Sequence, residues 1–208
     1  MAMLLVGLTG SIAMGKSVAA RIVRRTRIPV HDADAAVHAL MARGGAAVAA
    51  LAAEFPGCVR DGAVDRAALR QRISGDEAAK RRLETIIHPL VREATHRFVA
   101  RHARARRRMV VLDIPLLYET RAEKRLDAVV VVSAPAWLQR ARALRRPGMT
   151  PGLLATFLSW QVADVGKRRR ADAVATSALG QARTRRDLLA ALRLIEARNG
   201  RAWKPGWK

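Results

Sequence analysis

An almost unbroken apolar run of strand length, Met3 to Leu8, passes through a glycine-containing turn directly into the helix-like stretch Ser17 to Arg25. The turn reads Gly10-Ser11-Ile12-Ala13-Met14-Gly15-Lys16-Ser17, which satisfies G-x-x-x-x-G-K-[ST] in the strand–loop–helix setting that gives the pattern its meaning. Gly10 and Gly15 let the loop curl so that backbone N–H groups and the helix N-terminus face an anion. Lys16 would reach the β- and γ-phosphates of a nucleoside triphosphate, and the Ser17 hydroxyl would complete a Mg²⁺ shell. Ser11, Ile12, Ala13, Met14 and the following Val18 complete the expected nucleotide-binding stretch.

The remaining pattern alternates strands with helices. Ile28 to His31 predicts a short strand, placed at an edge or strand start by Pro29. From Ala35 to about Arg108 the periodicity is helical, broken at Gly44-Gly45, Pro56-Gly57, Asp61-Gly62 and Pro89, with Asp65 and Asp76 as expected N-caps. Met109 to Leu112 and Ala128 to Val132 have the composition of strands buried on both faces of a parallel sheet. Trp137 to Arg146 and Thr150 to Arg168 predict a helical hairpin, Ala173 to Ala175 a last strand and Thr184 to Arg198 a last helix. The tail over 199–208 is expected to be poorly ordered. Together these predict a mostly parallel, doubly wound α/β sheet with ligands beyond the carboxyl ends of its strands. The expected division is a core of 1–34, 109–134 and 171–198, a helical insert over 35–108 and a helical lid over 135–170.

Composition narrows the function classes. The 208 residues carry a formal net charge of +22, with 33 Arg and only six Lys. Such a balance attracts polyanions, yet no aromatic-interleaved basic strand, zinc knuckle or helix-turn-helix is present, so nucleic acid is not expected as the main partner. Arg-rich solvated helix faces account for most of the charge, and a substrate with several phosphates for part of it. The single Cys58 excludes an intramolecular disulfide and fits a reducing compartment. The apolar stretches fall short of the roughly 18–20 residues of a membrane helix. A cytoplasmic monomer or weak homo-oligomer is expected.

A phosphate loop leaves the phosphate acceptor open. Asp32-Ala33-Asp34 places two carboxylates at a strand end, where one can orient or deprotonate an attacking hydroxyl and the other hold Mg²⁺ through water; the same pair also suits a helix N-cap. His38 lies four residues beyond Asp34. Asp113, at the end of another strand, reads either as a metal-organising carboxylate or as an acid capping a loop.

Gly7-Leu8-Thr9-Gly10 with the phosphate loop, Asp32-Ala33-Asp34, Ile87-His88-Pro89-Leu90, Pro115-Leu116-Leu117-Tyr118-Glu119, Gln161 and Ala171-Asp172 together resemble the dephospho-coenzyme A kinase family, over Leu4 to about Ser177. The resemblance implies a P-loop kinase of the nucleoside-monophosphate-kinase type. ATP would phosphorylate the ribose 3′-hydroxyl of dephospho-coenzyme A, with Mg²⁺ as cofactor. It further implies Asp34 as general base with Asp32 supporting. His88, Pro115, Leu116, Leu117 and Glu119 would contact the acceptor, and the helical insert would be the acceptor domain. Arg142 and Arg146, spaced four apart so that both can face one side of a helix, resemble the family's paired lid arginines; Arg140 and Arg145 are close enough to serve instead. Ser17, Asp32 and Asp113 are the expected metal donors. Ser177 stands where the family pattern has Asn, and Pro147 and Gly152 depart from it in the lid. Two other readings stay open: a P-loop kinase for another small hydroxyl acceptor, and a regulatory ATPase holding a polyanion.

Overall fold

A computed structural model describes residues 2–203. In chain order its elements are β1 (Leu4–Thr9), α1 (Lys16–Arg24), β2 (Val30–Asp32), α2 (Ala33–Met41), α3 (Val48–Glu54), β3 (Val59–Arg60), β4 (Ala63–Val64), α4 (Arg66–Ile73), α5 (Glu77–Arg104), β5 (Met109–Asp113), a 3-10 turn (Ala122–Arg125), β6 (Ala128–Ser133), α6 (Ala136–Leu144), α7 (Pro151–Ser159), α8 (Asp164–Arg170), β7 (Ala173–Thr176) and α9 (Gly180–Glu196). They fall into two compact units, one formed by residues up to His31 and from His102 onward, the other by Asp32–Arg101.

The first unit carries a five-stranded sheet in the order β2-β5-β1-β6-β7. β1 runs parallel to β5 on one side, with Leu4 opposite Met109, and to β6 on the other, with Val6 opposite Ala128; β6 runs parallel to β7. Every residue of β1, β5 and β6 is buried, which is why these runs lack the polar alternation of a half-exposed sheet. On one face Ala19, Ala20 and Val23 of α1 and Leu188, Leu192 and Ile195 of α9 close over Leu4, Val6, Val130 and Val132. On the other, Leu117 and Tyr118 pack on Val129 and Val131. Because the chain leaves β1 to neighbours that follow much later in sequence, the loop after β1 emerges at the switch point of the sheet, where such folds bind ligands.

In the second unit α2, α3, α4 and α5 close around Leu40, Leu51, Phe55, Leu69 and Ile87, with Cys58 buried among them. Asp65 caps α4 through Ala67 N and Ala68 N, and the Asp76 carboxylate accepts from Ala79 N, as the sequence predicts. Two expectations fail here. Asp61-Gly62 is no simple helix break but the turn of the two-stranded hairpin β3–β4, both residues having positive φ, 50° and 74°, the geometry that favours Asp-Gly in tight hairpins. Pro89 does not end a helix; it lies inside the 28-residue α5. It removes one backbone donor, while Ile87, Leu90 and Val91 on either side pack on the same core and hold the helix through.

A third difference concerns the hairpin of 137–168. Its second arm is not one helix, because α7 ends at Ser159 and α8 starts only at Asp164. Of the tail, 199–203 is irregular yet fastened, since Arg201 N and Ala202 N donate to Asp127 Oδ1 at 2.5 and 2.8 Å; 204–208 lies outside the described residues. No helix among the described residues is long and apolar enough to cross a membrane.

Candidate functional site

The turn between β1 and α1 has the shape its glycines predict. Gly15 sits at φ 92° as the N-cap of α1, and a Cβ there would meet Ser177 Cβ and Oγ at 2.9 Å. A Cβ on Gly10 would lie 2.6 Å from the Val132 carbonyl oxygen, so only glycine fits either place. Ala13 also takes the left-handed region, at φ 60°, a conformation non-glycine residues adopt mostly where surrounding structure enforces it. Met14 helps to enforce it: buried, it accepts Ala134 N on its sulfur, and its own N–H donates to Ser11 O at 3.1 Å. Ser11 is buried and its Oγ has no hydrogen-bond partner. The first N–H groups of a helix have no carbonyl of their own helix to bond, and α1 has neither a side-chain cap nor an acid in its first turn. Its N-terminus is therefore matched to an external anion.

Lys16 and Asp113 meet here. Lys16 Nζ lies 2.7 Å from Asp113 Oδ1, and Arg24 approaches Asp113 Oδ2 at 3.9 Å. Asp113 ends β5, which pairs directly with β1, so sheet register delivers a buried carboxylate to the start of α1. Ser17 and Val18 follow on the first turn, Ser17 exposed and Val18 half-buried.

Arg142 is drawn to the same loop. Its Nη1 donates to Ser177 Oγ and its Nη2 to Ser177 O, both at 2.7 Å, while Ser177 Oγ donates to Met14 O at 2.7 Å. Ser177 thus ties the loop after β7, the phosphate loop and Arg142 together, a role that the comparison with the family's Asn did not suggest. Arg146 does not share a helix face with Arg142, because α6 ends at Leu144 and Arg146 lies in the turn beyond; Arg140, Arg145 and Arg146 are exposed.

The segment after β5 is anchored to β1, with Ile114 N donating to Leu8 O and Thr9 Oγ1 to Pro115 O, both at 3.0 Å. Pro115 is half-buried and Leu116 exposed. Leu117 departs from its expected acceptor contact. It is fully buried in the apolar core, its Cδ1 2.5 Å from where a Cβ on Gly7 would lie. Glu119 is turned inward as well: its Oε1 lies 2.8 Å from Lys167 Nζ and accepts from Val162 N at 2.9 Å. Burial alone would raise the Glu119 carboxyl, but Lys167 and the backbone N–H donors outweigh it and hold it below the usual carboxylate range. The segment also holds the chain's one tyrosine, Tyr118, with the Arg170 guanidinium 4.3 Å over its ring.

Burial pushes the Tyr118 hydroxyl up to about 12, Arg170 opposing and Asp172 and Glu123 assisting. A folded-state value above the ordinary one stabilises the fold below a pH of about 10, and that contribution is lost as pH rises toward the folded value. Spectrophotometric titration of the native chain is expected to show tyrosinate forming near 12, against about 10 in urea. Equal midpoints would mean that the ring is not buried in solution.

In the second unit Asp32 caps α2, its Oδ1 accepting from Ala35 N at 2.9 Å. Asp34 stands in the first turn of α2 with an exposed side chain, and His38 is exposed further along. His88 and Pro89 are exposed on α5, where His88 O accepts from Arg92 Nε at 3.4 Å.

Among the described residues no group of three or more His, Cys, Asp or Glu side chains could hold a metal ion. Magnesium does not need one, being bound by one or two carboxylates together with substrate phosphates. Ser17 and Asp113 offer hard oxygens of that kind near the loop, whereas Asp32 commits Oδ1 to its helix cap.

Comparison with known proteins gives the geometry its context. A model of the family described as dephospho-CoA kinase matches residues 4–180. The chain is 64% identical to the dephospho-CoA kinase of Paramagnetospirillum magneticum over 80% of its length and 78% of that protein's. It is 51% identical to that of Rhodospirillum rubrum over 98% and 96%. A crystal structure from Thermus thermophilus superposes with a TM-score of 0.80 at 30% identity, covering 96% of this chain and 100% of that one. The chain belongs to the dephospho-CoA kinase family, the enzymes of the last step of coenzyme A biosynthesis, built on a P-loop α/β fold.

Proposed function

We infer that the chain transfers the γ-phosphoryl group of ATP to the ribose 3′-hydroxyl of dephospho-coenzyme A, and that the residues gathered at the end of β1 carry the transfer. The observation that supports this best is the phosphate loop with Lys16 held on Asp113 at 2.7 Å, a cation aimed by a carboxylate at the mouth of an uncapped helix.

Phosphoryl transfer asks the protein for positioning and for positive charge around the moving group. The loop amides other than those of Ile12 and Met14, which donate to Gln161 Oε1 and Ser11 O, and the start of α1 cradle the phosphates, and Lys16 exchanges part of its bond to Asp113 for the β- and γ-phosphate oxygens. Arg142, oriented by Ser177, adds a guanidinium fork beside Gly15. Arg146, Arg140 and Arg145, exposed on and after α6, are the lid residues that would close over the nucleotide and exclude water. When bound with ATP, magnesium would neutralise phosphate charge, with the Ser17 hydroxyl and the Asp113 carboxylate as its protein donors.

On the acceptor side Asp34 serves as the base that takes or orients the hydroxyl proton. Its exposed carboxylate is available to a substrate, and Asp32 supports it by capping the same helix. His88, Pro115 and Leu116 are the surface residues for acceptor contact. Leu117 and Glu119 act behind them, one as core and one as an internal strut.

The reaction is tested by ADP release with ATP and Mg²⁺, measured with and without dephospho-coenzyme A, the product being identified by mass. An acceptor-dependent gain of one phosphate is the expected result. ADP release indifferent to the acceptor would return the protein to a general ATPase, and phosphorylation of a different alcohol in preference would move the acceptor assignment.

A further inference from the structure

The break between α7 and α8 has a pattern that helix chemistry does not explain. Gln161 Oε1 accepts from Ile12 N of the phosphate loop at 3.1 Å, while Gln139 Nε2 donates to Ile12 O at 2.9 Å, so that both backbone polar groups of one loop residue are held by side chains. One residue on, Val162 N donates to Glu119 Oε1 at 2.9 Å. Asp164 Oδ2 then accepts from Ser133 Oγ, at the end of β6, at 2.7 Å. Lys167, fully buried, closes the series on Glu119 Oε1 at 2.8 Å. A single short segment thus bonds the phosphate loop, the end of β6 and the Pro115–Glu119 segment.

We propose that Gln161–Lys167 is a positioning strap that sets the phosphate loop against the Pro115–Glu119 segment, and that its integrity governs the chemical step. The proposal rests on the reading of Pro115 and Leu116 as acceptor-side residues. Buried ion pairs add little net stability over well-packed apolar groups, so a pair such as Lys167–Glu119 is better explained by the arrangement it enforces than by stability. The arrangement here joins two chain segments that phosphoryl transfer needs in fixed relation. A misplacement of about 1 Å far from the reacting atoms is enough to cost roughly 10²-fold in rate. Neither Gln161 nor Lys167 needs to touch a substrate; each acts through the residues it holds.

The test uses Gln161→Met and Lys167→Met, singly and together, in the full chain. Each single change is expected to lower kcat by roughly 10²-fold with KM for both substrates held within about threefold. The double variant is expected to be no slower than the worse single, because one strap can be cut only once. Effects that multiply, or a KM rise at unchanged kcat, would overturn the proposal. A second measurement needs no turnover. By residue-resolved amide exchange, Lys167→Met is expected to speed exchange of the Ile12 N–H by roughly fivefold or more, although the ion pair of Lys167 is with Glu119. An unchanged Ile12 amide overturns the strap. An Ile12 amide that responds in a parent chain inactive toward dephospho-coenzyme A would sink the acceptor assignment and leave the strap standing. Should Lys167→Met fail to fold, Glu119→Gln with Lys167→Met removes both buried charges and takes its place in both measurements.

Discussion

Lys16→Ala is expected to lower kcat by roughly 10³-fold, about 4 kcal/mol of barrier. Lys16 is the cation at the start of α1, 2.7 Å from Asp113, where it can follow the γ-phosphoryl group as negative charge spreads over its oxygens. The variant also leaves the buried Asp113 carboxylate with Arg24 at 3.9 Å as its described ion-pair partner. Its thermal midpoint is therefore expected to fall as well, since removing one partner of a buried charge destabilises more than losing a surface pair. Lys16→Ala with Asp113→Asn separates the two effects, recovering stability while staying slow. Steady-state kinetics with calorimetry on the same samples check both parts. Retention of kcat within roughly tenfold of the parent, about 1.4 kcal/mol, would mean that the phosphate loop does not stabilise the transferred group.

Asp34→Asn is expected to reduce kcat by about 10²–10⁴-fold, the range for losing a general base, with much smaller change in KM for ATP. The fold should hardly notice. Asp34 is exposed in the first turn of α2, and the loss of one negative charge there costs a few tenths to about 1 kcal/mol through the helix dipole. Asp32 offers the contrast, because its carboxylate caps α2 through Ala35 N and asparagine can keep that bond. Comparing kcat and thermal midpoint for Asp34→Asn and Asp32→Asn assigns the roles. A large loss for Asp32→Asn with none for Asp34→Asn reverses them.

The phosphate loop was legible because its information is local. Two glycines, a lysine and a serine at set spacing between a strand and a helix need no distant partner to be read. The buried strands, and the caps at Asp65 and Asp76, were legible for the same reason. Local reading went wrong where a neighbour decided the outcome. Pro89 breaks an isolated helix, but Ile87, Leu90 and Val91 are seated on one core and carry α5 through it. Arg142 and Arg146 share a face only if α6 continues, and it stops at Leu144. Leu117 stands amid surface-contact candidates, yet a vacant Cβ position on Gly7 draws it into the core.

The residue types at the phosphate loop, the strand–helix alternation and the family resemblance were determined by sequence alone, because spacing along one chain segment sets which backbone groups a loop can present. Which side chains meet was decided only by the tertiary structure. Parallel pairing of β1 with β5 and β6 brings Asp113 to Lys16, the loop after β7 brings Ser177 to Met14 and Arg142, and the turn before α8 brings Gln161 to Ile12 and Lys167 to Glu119. These contacts join residues far apart in sequence, and long-range register is a property of the packed sheet rather than of any stretch within it.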